Sequence, residues 1–477
     1  MRLPEDQWQS SMQRVLRPDQ ILGGAAVLRA YDCDAYTVDR NKPAFVVLPE
    51  STEEVLNIVR WCLEHEVPFT ARGAGTGLSG GAMPALGGVV VSTKRMNRIL
   101  SIDLPNRRLR AETGTVNVAI TAAVAKHGLH FAPDPSSQSV STLGGNIAEN
   151  SGGPHTLKYG VTAPHILGLT VVTGDGELLE LGGGARGSAG PDLIALMIGA
   201  EGLMGIITEA WVKLTPLPEH VETALVSFGS TRDATTSVSQ IIAGGAVPAA
   251  LEIMDRNILK ALNAAFGLEY PAGTEALLLV ECDGSKSSAT KEIGIVESVC
   301  RSNNCLQFEV AKDESERKKM WLARKKGIGA MGRLAPSIVT HDGVIPPSKL
   351  PEMLDFVYEV AGESGVGVAN LFHAGDGNLH PCFYFDDRDP SQVQAVVDAG
   401  TKIIARCIEL GGSVTGEHGI GVEKLDLMKL MFSQSDLAAQ TLCRNLTNTA
   451  GLCNPCKVIP DQKGCVEHMR RWRGVAT

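Results

Sequence analysis

Aromatic side chains are scarce in this sequence, at 5% of 477 residues, which argues against the stacking platforms that hold single-stranded nucleic acid. Positive charge is not in excess either. The 44 Lys and Arg face 53 Asp and Glu, and a net charge of -9 gives no general attraction for phosphate backbones or anionic lipid. No apolar run approaches the roughly 20 residues that span a bilayer, and the opening MRLPEDQWQS has neither an apolar stretch nor a cleavage pattern. A cytoplasmic chain is expected, with any contact at the inner membrane made through a partner. Fixed-period repeats and low-complexity linkers are also missing. The eleven cysteines are odd in number and scattered, so reduced thiols are expected. Cys443, Cys453, Cys456 and Cys465 contain one C-x-x-C, but the outer spacings match no standard iron–sulfur or zinc run. The end, Arg470, Arg471, Trp472 and Arg473, reads as a solvated terminus.

What is present is a globular composition, 44% hydrophobic and 20% charged, on a chain long enough for two or three domains. Ala44 to Pro49 reads as a buried strand, and Ser51 with Glu54 forms a capping-box pattern ahead of an apolar helical face at Val55, Ile58, Val59, Cys62 and Leu63. Strands are expected at Val67 to Arg72 and Gly88 to Ser92, with the glycine-rich RGAGTGLSGGAMP between them. Arg108 to Thr113 reads as a strand and Val118 to His127 as a helix stopped at Gly128. Leu167 to Thr173 and Glu177 to Leu181 flank a Gly174-Asp175-Gly176 turn. From about Val221 long helical stretches alternate with strands at Glu275 to Glu281, Val366 to Phe372 and Pro381 to Phe385. These changes of texture suggest an N-terminal segment over 1–40, an α/β domain over 41–217, a second domain over 218–425 and a helical segment over 426–477.

Gly75, Gly77 and Gly80 satisfy G-x-G-x-x-G, yet no helix can open after them, because Gly81, Pro84, Gly87 and Gly88 precede a strand. A nicotinamide-binding Rossmann unit is therefore rejected. Five glycines from Gly73 to Gly81 can instead expose a run of backbone N–H groups to a pyrophosphate, with Arg72 at the entrance. A second stretch, Pro133 to Gly160, sets Ser137, Thr142, Asn146 and Asn150 among Gly144, Gly145, Gly152 and Gly153, where backbone can approach a flat polar ring. A third, GAEGLMGIIT from Gly199 to Thr208, puts a small-residue turn before a strand.

Later in the chain, His373 and His380 flank HAGDGNLH, and Glu417 and His418 sit inside GEHGIG. Two imidazoles and a carboxylate suit Zn²⁺ or a similar divalent ion, and a neighbouring neutral histidine suits proton abstraction. The same residues could also simply cap loops. Asp376 is read as bracing the loop or a ligand histidine. Arg324 has the planar fork that pairs with a carboxylate, although Lys325, Lys326 and Arg333 beside it could make the group one solvated helix face.

The three glycine-rich stretches resemble the flavin-binding domain of the vanillyl-alcohol oxidase superfamily, and HAGDGNLH, GEHGIG and NPCK resemble its FAD-linked D-2-hydroxyacid dehydrogenase branch, from about residue 40 to 460. The resemblance implies an α+β chain: a two-subdomain FAD-binding domain, an α+β cap with an antiparallel sheet, and a terminal segment returning to the flavin. It implies cofactor contacts from Arg72, Gly73, Ala74, Gly75, Thr76, Gly77, Leu78 and Ser79. Pro133, Asp134, Ser137, Thr142, Gly145, Asn146, Asn150, Gly152 and Gly153 supply the second group, and Glu201, Gly205, Ile206, Ile207 and Asn454 complete it.

It also implies a metal on His373, His380 and Glu417, His418 as the base, and FAD held without a covalent bond despite His155. The substrate implied is glycolate or another small (R)-2-hydroxy acid. Relatives that act on 2-hydroxyglutarate would place a lysine near Thr340 and an asparagine near Cys382, and neither is here. Electrons are expected to leave for an acceptor protein, an iron–sulfur partner subunit or a quinone-linked carrier, and a homodimer is left open. The alternatives are a 2-hydroxyglutarate dehydrogenase, an alkyl-glycerone-phosphate synthase-like transferase and a non-catalytic flavin electron-transfer subunit.

Overall fold

The computed structural model describes residues 3–85, 87–183 and 190–460, so Cys465 and the basic end from Arg470 to Arg473 lie outside the described residues. The described residues up to Ser151, Val161–Pro216 and those from His418 onward form one compact unit, while Gly152–Gly160 and Leu217–Glu417 form another.

The first unit holds two main sheets. β1 (Ile21–Leu22), β2 (Phe45–Val47), β3 (Phe69–Arg72) and β4 (Val89–Ser92) are ordered β1-β2-β4-β3, and β4 runs parallel to both neighbours. β2 and β4, in the middle of this sheet, are short runs of buried and almost wholly apolar residues, as a sheet covered on both faces requires. The helix Thr52–His65 buries Val55, Ile58, Val59, Trp61 and Cys62 against them. Ser51 Oγ accepts from the Glu54 N–H at 3.2 Å, but the Glu54 carboxylate reaches past the cap to the Glu50 N–H at 2.7 Å and to Gln20, so the capping box closes one residue early.

The second sheet contains β5 (Ile99–Asp103), β6 (Arg108–Glu112), β8 (Ile166–Thr173), β9 (Leu178–Gly182) and β10 (Gly205–Lys213), in the order β5-β6-β10-β8-β9 and antiparallel throughout. β7 (Leu129–His130) pairs with β11 (Thr215–Pro216) beside it. The expected helix over Val118 to His127 is α-helical over Asn117–Val124 and tightens to a 3-10 turn at Ala125–His127, before Gly128 ends it with φ +69°. Residues after His418 join this unit through side chains that serve backbone. Glu201 accepts from the Ile420 and Gly421 N–H groups at 2.6 and 2.7 Å, and Asn448 Nδ2 donates to Leu203 O at 2.8 Å.

The second unit is built on one antiparallel sheet, in the order β15-β12-β14-β13-β18-β19-β17. Its strands are β12 (His220–Phe228), β13 (Ala250–Asp255), β14 (Ala276–Gly284), β15 (Cys305–Val310), β17 (Gly343–Val344), β18 (Gly367–His373) and β19 (Asn378–Leu379). β20 (Pro381–Phe385) also pairs with β18 and carries β16 (Ser337–Thr340). Helices Arg256–Phe266 and Glu314–Ala330 cover part of it and share a core of Met254, Ile258, Leu262, Leu277, Leu279 and Trp321.

Two expected boundaries move. The division falls after Glu417 and not near 425, and Gly152–Gly160 sits with the second unit, not with the residues around it in sequence. Buried acids on β14 cause the second shift. Glu281 pairs with His155 at 3.2 Å, while Asp283 accepts from Lys158 and from the Tyr159 hydroxyl at 2.5 Å. No helix among the described residues is long and apolar enough to cross a membrane, and no disulfide joins the described cysteines.

Candidate active site

In the first unit, the loop after β3 enters a left-handed turn at Gly75, with φ +73°, and a Cβ there would lie 2.2 Å from an Arg72 Nη atom. Only glycine fits that turn. The N–H groups of Ala74, Gly75, Thr76, Gly77, Leu78 and Ser79 donate to no acceptor among the described residues, and Ser79 Oγ is buried without a hydrogen-bond partner. A row of amides left without protein acceptors is what an anionic diphosphate requires.

The loop borders a cleft lined by Arg72, Gly73, Gly145, Glu201, Gly205, Ile206 and Ile207 of the expected set. Gly81 and Gly144 of the glycine-rich stretches line it as well, as do Thr113 and Glu149, which the sequence reading did not select. These donors and the glycine-lined walls fit a flavin nucleotide.

Several of the expected residues also serve the scaffold. Thr142 caps the helix Leu143–Glu149 by accepting from the Gly145 N–H, and Asn146 donates to Asn117 Oδ1 at 2.9 Å. Asn150 Oδ1 accepts from the Ala163 N–H at 2.9 Å, while Pro133 O accepts from Asn117 at 2.9 Å. Asn454 donates to Gly81 O at 3.1 Å and Glu201 O at 2.6 Å, and Glu201 holds the 420–421 turn. Arg72 Nη1 is tied to Cys33 O at 2.7 Å. Asp134 and Ser137 are outside the residues that line the cleft, and Gly152 and Gly153 belong to the second unit.

In the second unit, β18 ends at His373 and β19 begins at Asn378, so a tight turn returns the chain to bring His380 beside His373. The two rings are 5.1 Å apart, nearly perpendicular at 81°. His373 Nε2 and His380 Nε2 lie 3.2 and 3.4 Å from the same oxygen, Glu417 Oε1. Ligands about 2.0 to 2.1 Å from a tetrahedral zinc ion would be about 3.3 Å from one another. The three donor atoms lie within 4.8 Å of one another, so the set fits a divalent ion in spacing and in chemistry.

Two acids that the sequence reading missed hold this group. Glu252, fully buried on β13, takes His373 Nδ1 at 2.6 Å and Arg324 Nε at 2.5 Å. Asp342, also fully buried, accepts from the Thr415 hydroxyl and from the N–H groups of Gly416 and Glu417, which fixes the turn that presents the Glu417 carboxylate. A signal for Glu252 existed, because it stands alone as an acid inside the run ALEIM, whose other members are all buried and apolar. Burial works against a charged His373, but the carboxylates of Glu252 and Glu417 outweigh it and hold the imidazole well above its ordinary value. Burial likewise pushes Asp376 up to about 6, opposed by His373. Asp376 accepts from the Asn378 N–H inside its own turn, a bracing position.

The helix Glu314–Ala330 separates Arg324 from its basic neighbours. Arg324 shares the buried face with Met320, Trp321 and Gly327, while Lys325, Lys326 and Arg333 are exposed. His418 follows Glu417 directly in sequence and opens the segment that rejoins the first unit. No metal-ligating group among the described residues includes a cysteine.

A glycine-lined cleft beside a loop of unengaged amides, on a pair of sheets with this strand order, fits a flavin-nucleotide oxidoreductase of the vanillyl-alcohol oxidase fold. Residues 43–182 match the FAD binding domain family, and residues 217–458 match the family described as FAD linked oxidases, C-terminal domain. The chain belongs to the FAD-linked oxidases. It is 41% identical over 437 residues to the glycolate oxidase subunit GlcD of Escherichia coli strain K12, covering 92% of this chain and 88% of that one. It is also 31% identical to a D-lactate dehydrogenase of Anaerostipes hadrus, covering 93% of this chain and 95% of the relative. Among solved structures it resembles 4-ethylphenol oxidase from Gulosibacter chungangensis, with a TM-score of 0.79 at 19% identity, covering 95% of this chain and 96% of that one.

Proposed function

We propose that this oxidoreductase converts a small (R)-2-hydroxy acid, of the glycolate or D-lactate class, to the 2-oxo acid. The observation that carries the reading is the meeting of His373, His380 and Glu417 around one point, braced by Glu252 and Asp342. His373, His380 and Glu417 would hold a divalent ion, expected to be Zn²⁺, which would supply an electrophile to the oxygens of the substrate. Bound FAD supplies the two-electron acceptor at N5.

Arg324, oriented through its Nε by Glu252, pairs with the substrate carboxylate and fixes the pose. His418 takes the hydroxyl proton on its imidazole. A small substrate is supported by the pairing of Thr340 with Cys382 across β16 and β20, where the Thr340 hydroxyl donates to Cys382 Sγ at 3.4 Å. That contact puts two short side chains where a dicarboxylate would need a lysine and an asparagine. The relatives named as a glycolate oxidase subunit and a D-lactate dehydrogenase support the same class. Electrons leave to a partner protein or quinone-linked acceptor.

Anaerobic mixing with glycolate or D-lactate tests the reading. Bleaching of the oxidised flavin band with release of the 2-oxo acid is expected, and a flavin left oxidised by the whole panel of 2-hydroxy acids rejects it.

A further inference from the structure

Glu149 closes the helix Leu143–Glu149 and lines the cleft of the first unit, with its Oε2 buried and without a hydrogen-bond partner among the described residues. Two glycines make room for it. A Cβ at Gly81 would lie 2.8 Å from Glu149 Oε1, and one at Gly419 would lie 2.2 Å from Glu149 Oε2. The same Gly419 position is 2.8 Å from Glu201 Oε1, so two carboxyl groups crowd one point.

Their partners are divided unequally. Glu201 accepts two backbone N–H groups, at 2.6 and 2.7 Å. The nearby cations Lys424 and Lys457 direct Nζ to Gly419 O at 3.1 Å and Gly81 O at 2.8 Å, and among the described residues neither donates to Glu149. Like charges this close do not both ionise cheaply, and the acid with donors is the one that carries the charge. Burial, with Glu201 and Asp34 adding and Lys457 and Lys424 opposing, accordingly holds Glu149 well above the usual carboxylate range. A neutral carboxyl group has one O–H to donate, and a flavin nucleotide offers ring carbonyls, ring nitrogens and phosphate oxygens as acceptors.

We propose that Glu149 is a cofactor-binding residue that keeps its proton and donates a hydrogen bond from the cleft wall to an acceptor atom of bound FAD. The inference rests on the assignment of this cleft to FAD.

The test reconstitutes the full-length apoprotein with FAD and follows the dissociation constant by flavin fluorescence from about pH 6 to about pH 9, for the wild type, Glu149→Gln and Glu149→Ala. Glu149→Gln keeps a donor at every pH, so its affinity should stay within about threefold of the wild type at low pH and change little with pH. Glu149→Ala should bind about tenfold more weakly. The infrared carbonyl band of a protonated carboxylic acid should be present in the wild type and absent in Glu149→Gln.

Glu149→Gln as weak as Glu149→Ala, Glu149→Gln tighter than the wild type at low pH, or no band lost on Glu149→Gln would each overturn the proposal. A wild type that takes up no FAD would reject the cleft assignment itself, and the proposal with it.

Discussion

Glu252 links two groups that would otherwise drift, since one buried carboxylate takes both His373 Nδ1 and Arg324 Nε. A histidine whose far nitrogen is held in this way presents Nε2 in one tautomer and one orientation. Glu252→Gln should therefore lower metal affinity by about 10- to 100-fold, measured by metal analysis after dialysis, with FAD content unchanged. Glu281 serves a structural end. It accepts from Thr223 at 2.8 Å, Trp321 Nε1 at 2.6 Å and Arg317 at 2.9 and 3.0 Å, and pairs with His155. Burial would raise its carboxyl, but the bonds from His155 and Arg317 prevail and hold it far below the ordinary value of 4.5. The folded value is the depressed one, so this stabilisation is complete above about pH 4.5 and is lost as pH falls from there toward the folded value. Glu281→Gln should cost about 3 kcal/mol at neutral pH, and the gap in thermal midpoint from the wild type should narrow below about pH 4.5. A gap that stays constant down to acid unfolding would contradict the assignment.

The turn between β18 and β19 brings His373 and His380, the proposed metal ligands, together, and its tightness depends on Gly377. That residue has φ +73°, and a Cβ on it would stand 2.0 Å from the carbonyl oxygen of Ile345, which is backbone and cannot swing away. Gly377→Ala should displace His380 and lower kcat about 100-fold, since a shift near 1 Å at a reacting centre costs that much, while flavin uptake remains. Unchanged kcat would show that the turn does not position the ligand. The histidines of this element were legible in the sequence because glycines excluded a helix and forced a loop. The strands were legible because buried sheet leaves continuous apolar runs, as in Phe45–Val47 and Val89–Ser92. The partners of Glu252 and Asp342 were not, because they lie far off in sequence and no local spacing encodes a contact 121 residues away, as between Glu252 and His373. Gly152–Gly160 misled for the same reason, since its attachment to β14 depends on Glu281 and Asp283, more than 120 residues away.

At the scale of the whole chain, the cleft and the group of His373, His380 and Glu417 are each assembled inside one compact unit. The cleft-lining residues, Ala71 to Ile207, lie in the first, and His373, His380 and Glu417, with the bracing Glu252 and Asp342, lie in the second. Sites with no shared ligands lose their contents independently. Chelation should strip the metal and slow flavin reduction by substrate at least about 100-fold, because the proposed electrophile, which would supply several kcal/mol to a developing alkoxide, would be gone. The same chelated protein should retain its FAD and accept electrons from dithionite as before. FAD should in turn leave on denaturation, since His155, a histidine inside the Pro133 to Gly160 stretch, is engaged by Glu281 and lies against Trp321 with ring centroids 5.5 Å apart. Loss of both metal and FAD on chelation would show that the metal is structural to the first unit. Full substrate reduction after complete metal removal would assign the chemistry to His418 and Arg324 without it, and flavin retained on the denatured chain would place a covalent bond that this pairing of His155 argues against.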